Sequence, residues 1–407
     1  MFKKRKMNNI LILGAGASIP FYDPVLSSER LKTVISDRCR WNDLVDRYRR
    51  AMNDENVNMV NVPAIMCVLN RINNEHPNYN FEQIIEFIDK ICSFNFNPGR
   101  DSKIFHDILF YYNAKPQNAA DHVWTFVPFL FRQLIAEDVA NLHANHKVGG
   151  YDDLTQLQTK FISSISNGQS INIFTLNYDE IIWDAIRNLD FVSGFGNEGR
   201  FDIKTFLSAK KTISFPHGHS RFSYDDHGIL LHADSQKAND SRLGHIGDSD
   251  DVQTVCLIDG SYCYSFNTFI STGQQKEPTF DLNPYAAYYQ KFASDCLKAT
   301  KIYIVGYSFS DPHFNRMLLN FLAIARTNRI VIVDRILENI CLAYEFMKHE
   351  SLIQKIFDLF GISRIPMDNS QREDDLNRNG FAEITPQIIL YKKGYDVFLY
   401  DFNKINL

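Results

Sequence analysis

The sequence lacks paired cysteines, a long apolar run and an excess of positive charge, and each absence excludes a class of protein. Its seven cysteines are scattered and form no C-x-x-C pair, which argues against a zinc knuckle and a disulfide framework. Free cysteines are typical of a reducing compartment, so we expect a cytoplasmic protein. No apolar run approaches the roughly 18 residues that cross a bilayer, so no membrane association is expected. A formal net charge of -5 offers nucleic acid no general attraction, and we expect no direct sequence-specific binding of DNA or RNA.

Apolar residues, by contrast, are plentiful. Of the 407 residues 45% are hydrophobic, with 32 phenylalanines and 19 tyrosines, which is ample for a real core. The length itself suggests two or three domains or one large elaborated domain. Short apolar runs bounded by polar or glycine turns predict buried strands at Ile10–Leu13, Ile171–Leu176, Thr212–Phe215, Ile302–Val305 and Ile330–Val333. Helical patterns follow several of these strands. The sequence therefore predicts an α/β fold with a doubly wound, mostly parallel, Rossmann-like sheet.

Three segments make up the predicted organisation. Residues 10–20 and 167–335 would form the Rossmann-like core. Residues 21–166 carry apolar stripes at helical spacing and would form a large helical insertion after the first strand. Residues 336–407 would form a small C-terminal extension, which would end in a β-hairpin of Ile388–Tyr391 and Tyr395–Tyr400 across a glycine turn.

Two of the predicted strands end in motifs that suit a nucleotide. Gly14–Ser18 follows the first strand, and its glycines would let backbone N–H groups approach a phosphate. The same glycines would suit a tight turn with no ligand. Asn177 and Asp179 follow the second strand and alternate along an extended backbone, so both side chains would face one crevice. Either residue would equally serve as the N-cap of the next helix.

A third strand end carries Phe215-Pro216-His217-Gly218-His219. Histidine is the side chain best suited to proton transfer near neutral pH, which makes His217 a candidate general base. Most lone histidines are structural, however. The second histidine would suggest a metal, but no third ligand lies at a recognisable spacing.

The last two predicted strands also end in polar residues. Gly306 and Ser308 are candidates for contact with a nucleotide, and Ser310 or Asp311 is a natural N-cap for the helix that follows. Asp334 ends the last strand, where a carboxylate would accept hydrogen bonds from a ribose diol or would be an ordinary loop acid.

In their order these motifs resemble those of the sirtuin (silent information regulator two) superfamily: a GAG-x-S loop, then T-x-N-x-D, H-G and G-x-S, and a strand that ends near the adenosine ribose. The resemblance covers roughly residues 10–335. It implies that NAD is bound and consumed, with Asn177, His217 and Asp179 as the catalytic residues. The residues that it assigns to the binding of NAD are Gly14, Ala15, Gly16, Ser18, Thr175, Gly306, Ser308 and Asp334.

The sequence also departs from the pattern of protein-deacylating sirtuins. Those enzymes carry two C-x-x-C pairs for zinc between H-G and G-x-S, whereas this interval holds only Cys256, Cys263 and Cys296. No zinc is therefore expected. The chain looks like the bacterial sirtuin-like NAD hydrolases of anti-phage defence, and most like the effector that partners a HerA-type hexameric ATPase. This resemblance implies hydrolysis of NAD to nicotinamide and ADP-ribose. Because such an activity needs control, we expect a homo-oligomer.

Other functions would use the same cofactor residues. An NAD-dependent protein deacylase would need a peptide groove, which the missing cysteines argue against. A non-catalytic sensor of NAD or ADP-ribose would have no need of His217 at the glycosidic bond. A redox dehydrogenase fits least, because Ile19 stands where the G-x-G-x-x-G fingerprint has its third small residue.

Overall fold

The fold is organised around a seven-stranded sheet in which Asn8–Leu13 is an interior strand. A computed structural model of the chain describes residues 8–52, 62–93, 127–166, 170–196, 199–225, 228–231, 254–256, 262–264, 283–336, 351–362 and 370–402. The strands in these ranges are β1 (Asn8–Leu13), β2 (Ile171–Thr175), β3 (Lys211–Ser214), β4 (Phe222–Asp225), β5 (Gly228–Leu231), β6 (Thr254–Cys256), β7 (Tyr262–Tyr264), β8 (Ala299–Val305), β9 (Arg329–Val333), β10 (Phe381–Thr385) and β11 (Ile388–Tyr391).

Seven of these strands form one sheet, in the order β10-β11-β9-β8-β1-β2-β3. Every neighbouring pair is parallel except β10 and β11. β1 is an interior strand, and its last four residues, Ile10 to Leu13, are all apolar and all buried, as expected of a strand that is covered on both faces. The prediction of an α/β chain with a mostly parallel sheet is confirmed, and the arrangement is compatible with a Rossmann-like fold.

Helices cover both faces of this sheet. They are α1 (Ser28–Ile35), α2 (Arg38–Met52), α3 (Val62–Glu75), α4 (Phe81–Ser93), α5 (Val127–Asn145), α6 (Tyr151–Ser166), α7 (Ile181–Ile186), α8 (Ile203–Ser208), α9 (Tyr285–Cys296), α10 (Pro312–Ile324), α11 (Leu352–Phe360), α12 (Ser370–Arg378) and α13 (Tyr395–Asp401). Alternate residues of β1 enter two separate cores. Leu11 and Leu13 pack in the core that includes α1 to α6, whereas Ile10 and Ile12 pack in the core that includes α9 and α10. No helix in the described ranges has the length and apolar character needed to cross a membrane.

The predicted C-terminal hairpin is wrong in its second arm. Ile388–Tyr391 forms a strand, but its antiparallel partner is Phe381–Thr385. Tyr395–Tyr400 lies in helix α13 instead. A short apolar run does not by itself distinguish a strand from a helix. Here three buried residues at helical spacing, Tyr395, Phe398 and Leu399, give the helix an apolar face.

This C-terminal region also extends the main sheet. β11 pairs in parallel with β9, with Ile388 opposite Ile330 and Tyr391 opposite Val333. Helix α13 then packs its apolar face on the core, where the rings of Phe398 and Phe161 meet edge to face with centroids 5.3 Å apart. The sheet therefore continues beyond residue 335, where the predicted core ends.

This packing predicts a large difference between two aromatic residues of α13. Phe398→Ala removes a fully buried ring and should lower the free energy of unfolding by about 3–5 kcal/mol. Tyr400, on the same helix, is 57% exposed, so Tyr400→Ala should change it by less than about 0.5 kcal/mol. Urea unfolding of the two variants measures both values. Equal, small effects would contradict the docking of α13 on the core.

Candidate active site

The carboxyl ends of neighbouring parallel strands meet at one edge of the sheet. Backbone hydrogen bonds continue the pairing beyond the strands: Gly14 N–H donates to Val305 O and Gly306 N–H donates to Val333 O, each at 2.9 Å. The loops that carry the sequence motifs after β1, β2, β3, β8 and β9 are therefore collected at this edge, as their position at strand ends predicts.

Gly16 and Gly306 allow two of these loops to touch through their backbones. Gly16 N–H donates to Gly306 O at 2.9 Å, and a Cβ on Gly16 would lie 2.6 Å from the Gly306 Cα. Gly306 has a φ of +61°, and a Cβ there would overlap the backbone of Gly16 and Ala17. The N–H groups of Ala17 and Ser18 donate to carbonyls inside their own loop. The close packing of the two loops is therefore sufficient to explain why Gly16 and Gly306 are glycines. Phosphate binding by this loop stays a prediction, and Ala15 is its exposed residue.

Ser18 connects the two polar residues that follow β2. Its hydroxyl accepts a hydrogen bond from Asn177 Nδ2 at 2.8 Å and donates to Asp179 Oδ2. The Asn177 backbone is fixed as well, because its N–H donates to Thr175 Oγ1 at 3.2 Å. Ser18 thereby orients the Asn177 amide, whose Oδ1 is a hydrogen-bond acceptor.

Both oxygens of the Asp179 carboxylate accept hydrogen bonds, although the N-cap of α7 is Glu180 and neither Asn177 nor Asp179, the two residues that the sequence suggested. Its Oδ1 accepts the N–H of Ile181 at 3.1 Å at the start of α7, while Oδ2 accepts from Ser18. Burial raises the pKa of Asp179 to about 6, against the opposing effect of these two hydrogen bonds. Asp179 is only 2% exposed, compared with 8% for Asn177 and 7% for His217. Asp179 therefore has less surface open to solvent than either of the other two residues.

His217 lies against Asp311, a contact that the sequence motifs do not predict. The His217 Nε2 is 3.1 Å from Asp311 Oδ2, and both side chains are largely buried. Asp311 is also the N-cap of α10, as predicted, because Oδ1 accepts the N–H groups of His313 and Phe314. The sequence contains one indication that Asp311 belongs to the site, which is its position: it follows a strand that ends at the same edge as the other motif residues.

His219 has a structural role that separates it from His217. It is fully buried, its Nε2 donates to Asp179 O at 2.9 Å, and its Nδ1 accepts the N–H of Arg221 at 3.1 Å. Burial lowers the pKa of His219 well below its ordinary value, so the ring is neutral. Within the described ranges, no three metal-ligating side chains gather into a site. His219 thus fixes the peptide of Asp179.

The predicted adenosine side of the site contains Ser308 and Asp334. Ser308 is exposed, and its hydroxyl donates to Ser310 Oγ at 3.0 Å. Burial raises the pKa of Asp334 to about 6, although the Arg335 N–H, 2.6 Å from Oδ1, favours the ionised form. Both residues stand at the edge where a nucleotide is expected, and their contact with one stays a prediction.

The close approach of the glycine loops predicts unequal costs for two substitutions at the same φ. Gly361 also has a φ of +61° but has open space around it, so Gly361→Ala should cost about 1 kcal/mol of unfolding free energy. Gly306→Ala adds a backbone overlap and should cost about 1–3 kcal/mol more. Urea unfolding measures the difference, and equal costs would contradict the contact between the loops.

The raised pKa of Asp179 predicts a pH-dependent stability. Between about pH 4 and pH 6 the unfolded chain loses the Asp179 proton while the folded chain keeps it, so rising pH favours unfolding. Between pH 4 and pH 7.5 the free energy of unfolding of the wild type should therefore fall by up to about 3 kcal/mol relative to that of Asp179→Asn. Urea unfolding across this range measures the change.

The matched control for this pH dependence is Asp202→Asn. Hydrogen bonds from the Thr205 hydroxyl and backbone lower the pKa of Asp202. The contribution of the Asp202 carboxylate to the free energy of unfolding should therefore grow as pH rises. A difference between wild type and Asp179→Asn that stays constant across the range would refute the raised pKa.

The structure thus brings together two hydrogen-bonded groups, Ser18 with Asn177 and Asp179, and His217 with Asp311. The loop that carries His217 joins them, because His219 in the same loop holds the Asp179 carbonyl. No protein-family model matches the chain, and no curated protein matches it either.

Proposed function

We propose that the chain is an NAD hydrolase with a sirtuin-like core and a helical insertion. The observation that carries the proposal is the pair Asn177 and His217: an amide acceptor and an imidazole, each held by a buried partner at the carboxyl edge of the sheet. The order of the motifs along the chain, which resembles that of sirtuins, supports the same activity.

The proposed reaction is hydrolysis of the bond between ribose C1′ and nicotinamide N1. The bond breaks with its electron pair going to N1, so that nicotinamide leaves as a neutral molecule. The ribose passes through an oxocarbenium-like state, as expected for cleavage of a glycosidic bond. Water then forms the new bond to C1′, and His217 takes up its proton and releases it to solvent. The products are nicotinamide, ADP-ribose and one proton.

Each polar residue of the site has a proposed part in this reaction. Asn177 Oδ1 accepts a hydrogen bond from the attacking water or from a ribose hydroxyl. Ser18 holds the Asn177 amide in that orientation, and Asp179 holds Ser18. With a pKa of about 6, Asp179 is mostly ionised at neutral pH. Its negative charge, poorly screened because it is buried, favours the positively charged transition state. Orienting the ribose or the nicotinamide carboxamide is the further role that the resemblance implies for Asp179.

The rest of the dinucleotide is proposed to lie along the same edge. The diphosphate would lie against the loop Gly14–Ser18, where Ala15 is exposed. The adenosine half would lie against Gly306 and Ser308, with its ribose hydroxyls donating to Asp334. This placement uses the crevice outside the carboxyl ends of the strands, where open α/β sheets bind their ligands.

The proposed biological role follows from the reaction. A hydrolase that depletes NAD stops the growth of its own host, which is the outcome of abortive infection in anti-phage defence. We propose control through assembly as a homo-oligomer, with a HerA-type hexameric ATPase as partner.

The proposal predicts that two single substitutions separate binding from turnover. Asn177→Ala removes the acceptor and His217→Ala removes the base, so each should bind NAD but lower its consumption on the order of 10²–10⁴-fold. Isothermal titration with NAD and mass spectrometry of the reaction mixture measure the two effects. Matched controls are Asn141→Ala and His146→Ala, which remove the same side-chain types outside the site and should leave turnover unchanged.

The same assay identifies the alternatives. Turnover at the wild-type rate in both site variants would overturn the assignment of Asn177 and His217. Acetyl-ADP-ribose formed only with an acetyl-lysine peptide would identify a protein deacylase. Binding of NAD with no consumption by the wild type would identify a sensor.

A further inference from the structure

We infer that Asp311 is a positioning residue for His217: its carboxylate fixes the imidazole and places the ring proton on Nε2, which makes Nδ1 the basic nitrogen. The inference deepens the proposed function and rests on it for the role of His217 in turnover. The geometry is a short contact between buried groups, Nε2 to Oδ2 at 3.1 Å, with 9% of the His217 side chain and 5% of the Asp311 side chain exposed.

The position of the proton follows from what else Asp311 binds. Oδ1 accepts the backbone N–H groups of His313 at 2.9 Å and Phe314 at 3.3 Å, as the N-cap of α10. The positive end of the helix dipole favours an ionised carboxylate at that place. An ionised carboxylate only accepts hydrogen bonds, so Oδ2 must receive a proton from His217 Nε2. In the neutral imidazole the lone pair is then on Nδ1.

The carboxylate is held firmly enough to impose an orientation. The N–H of Asp311 donates to the Tyr307 hydroxyl at 3.1 Å, and that hydroxyl donates to Asn315 Oδ1 at 3.0 Å. The same Asn315 side chain donates through Nδ2 to Phe309 O at 2.8 Å. Phe309 has a φ of +55°, a conformation that a phenylalanine rarely adopts. Strained backbone that the surroundings over-determine is typical of functional sites. The loop between β8 and α10 therefore presents Asp311 at a fixed place.

The cap also dictates what an amide would do at this position. In Asp311→Asn the only oxygen is needed by the N–H groups of His313 and Phe314, because an amide nitrogen there would face two donors. The amide Nδ2 must then face His217 and donate to Nε2. That reverses the tautomer and moves the basic lone pair away from Nδ1, while the N-cap is kept, since asparagine caps helices as well as aspartate does.

The test combines a tautomer measurement with turnover. The protein is labelled with ¹⁵N-histidine, and the His217 ring signals are assigned by their loss in His217→Gln. We expect the Nε2–H tautomer in the wild type and the Nδ1–H tautomer in Asp311→Asn. With NAD as substrate, kcat of Asp311→Asn should fall on the order of 10²–10⁴-fold. KM should change only a few-fold, because Asp311 is not placed in contact with the substrate.

Two further variants separate positioning from helix capping. Asp202→Asn alters the N-cap of α8, which accepts the N–H groups of Lys204 and Thr205, and it should leave both the His217 tautomer and kcat unchanged. Asp311→Glu keeps an ionised acceptor and should recover the Nε2–H tautomer and part of kcat.

The outcomes distinguish this inference from the proposed function. An Nδ1–H tautomer in the wild type, or wild-type kcat and tautomer in Asp311→Asn, overturns the role of Asp311. If the wild type shows Nε2–H and Asp311→Asn reverses it, but no NAD is consumed by either protein, the proposed function fails and the positioning of His217 by Asp311 stands.

Discussion

The site depends on the backbone contact between the loop after β1 and the loop after β8. Gly16 and Gly306 approach so closely that neither tolerates a Cβ without displacing the other loop. This contact fixes the path of Gly14–Ser18, and the path of that loop brings Ser18 to Asn177 and Asp179, which follow the neighbouring strand β2. The same contact fixes the start of the loop that ends at Asp311. One steric constraint therefore sets both hydrogen-bonded groups of the site.

The energetics of the site show that it is not arranged for stability alone. Burial raises the pKa of Asp179 and of Asp334 to about 6, so both carboxylates reduce the stability of the folded chain at neutral pH. His219 is kept neutral in the core so that it can hold a peptide, and Phe309 keeps a strained backbone beside Asp311. Costs of this kind concentrated at one sheet edge are the usual sign of a functional site.

Much of this arrangement was predictable because it is local. A run of four apolar residues before a glycine turn identifies β1, and polar residues that follow buried strands must gather at one edge of a parallel sheet. The Asp311 N-cap is equally local. The contact of Asp311 with His217 is not, because 94 residues separate them and no periodicity encodes such a pairing. The same holds for His219, whose partner is the carbonyl of Asp179.

The C-terminal region shows a different limit. Tyr395–Asp401 is too short for its apolar pattern to distinguish helix from strand, and the core settles the choice by burying Tyr395, Phe398 and Leu399 together. That β11 joins β9 depends on the twist and edge of the whole sheet, which a local pattern does not contain.

The most direct test of the proposed reaction is to follow the fate of water. Incubation of the wild-type protein with NAD in H₂¹⁸O, followed by mass spectrometry, should give two products in equal amounts. The nicotinamide should be unlabelled, and each ADP-ribose formed should carry one ¹⁸O. NAD that persists unchanged, or ADP-ribose transferred to another acceptor without ¹⁸O, would contradict hydrolysis at this site.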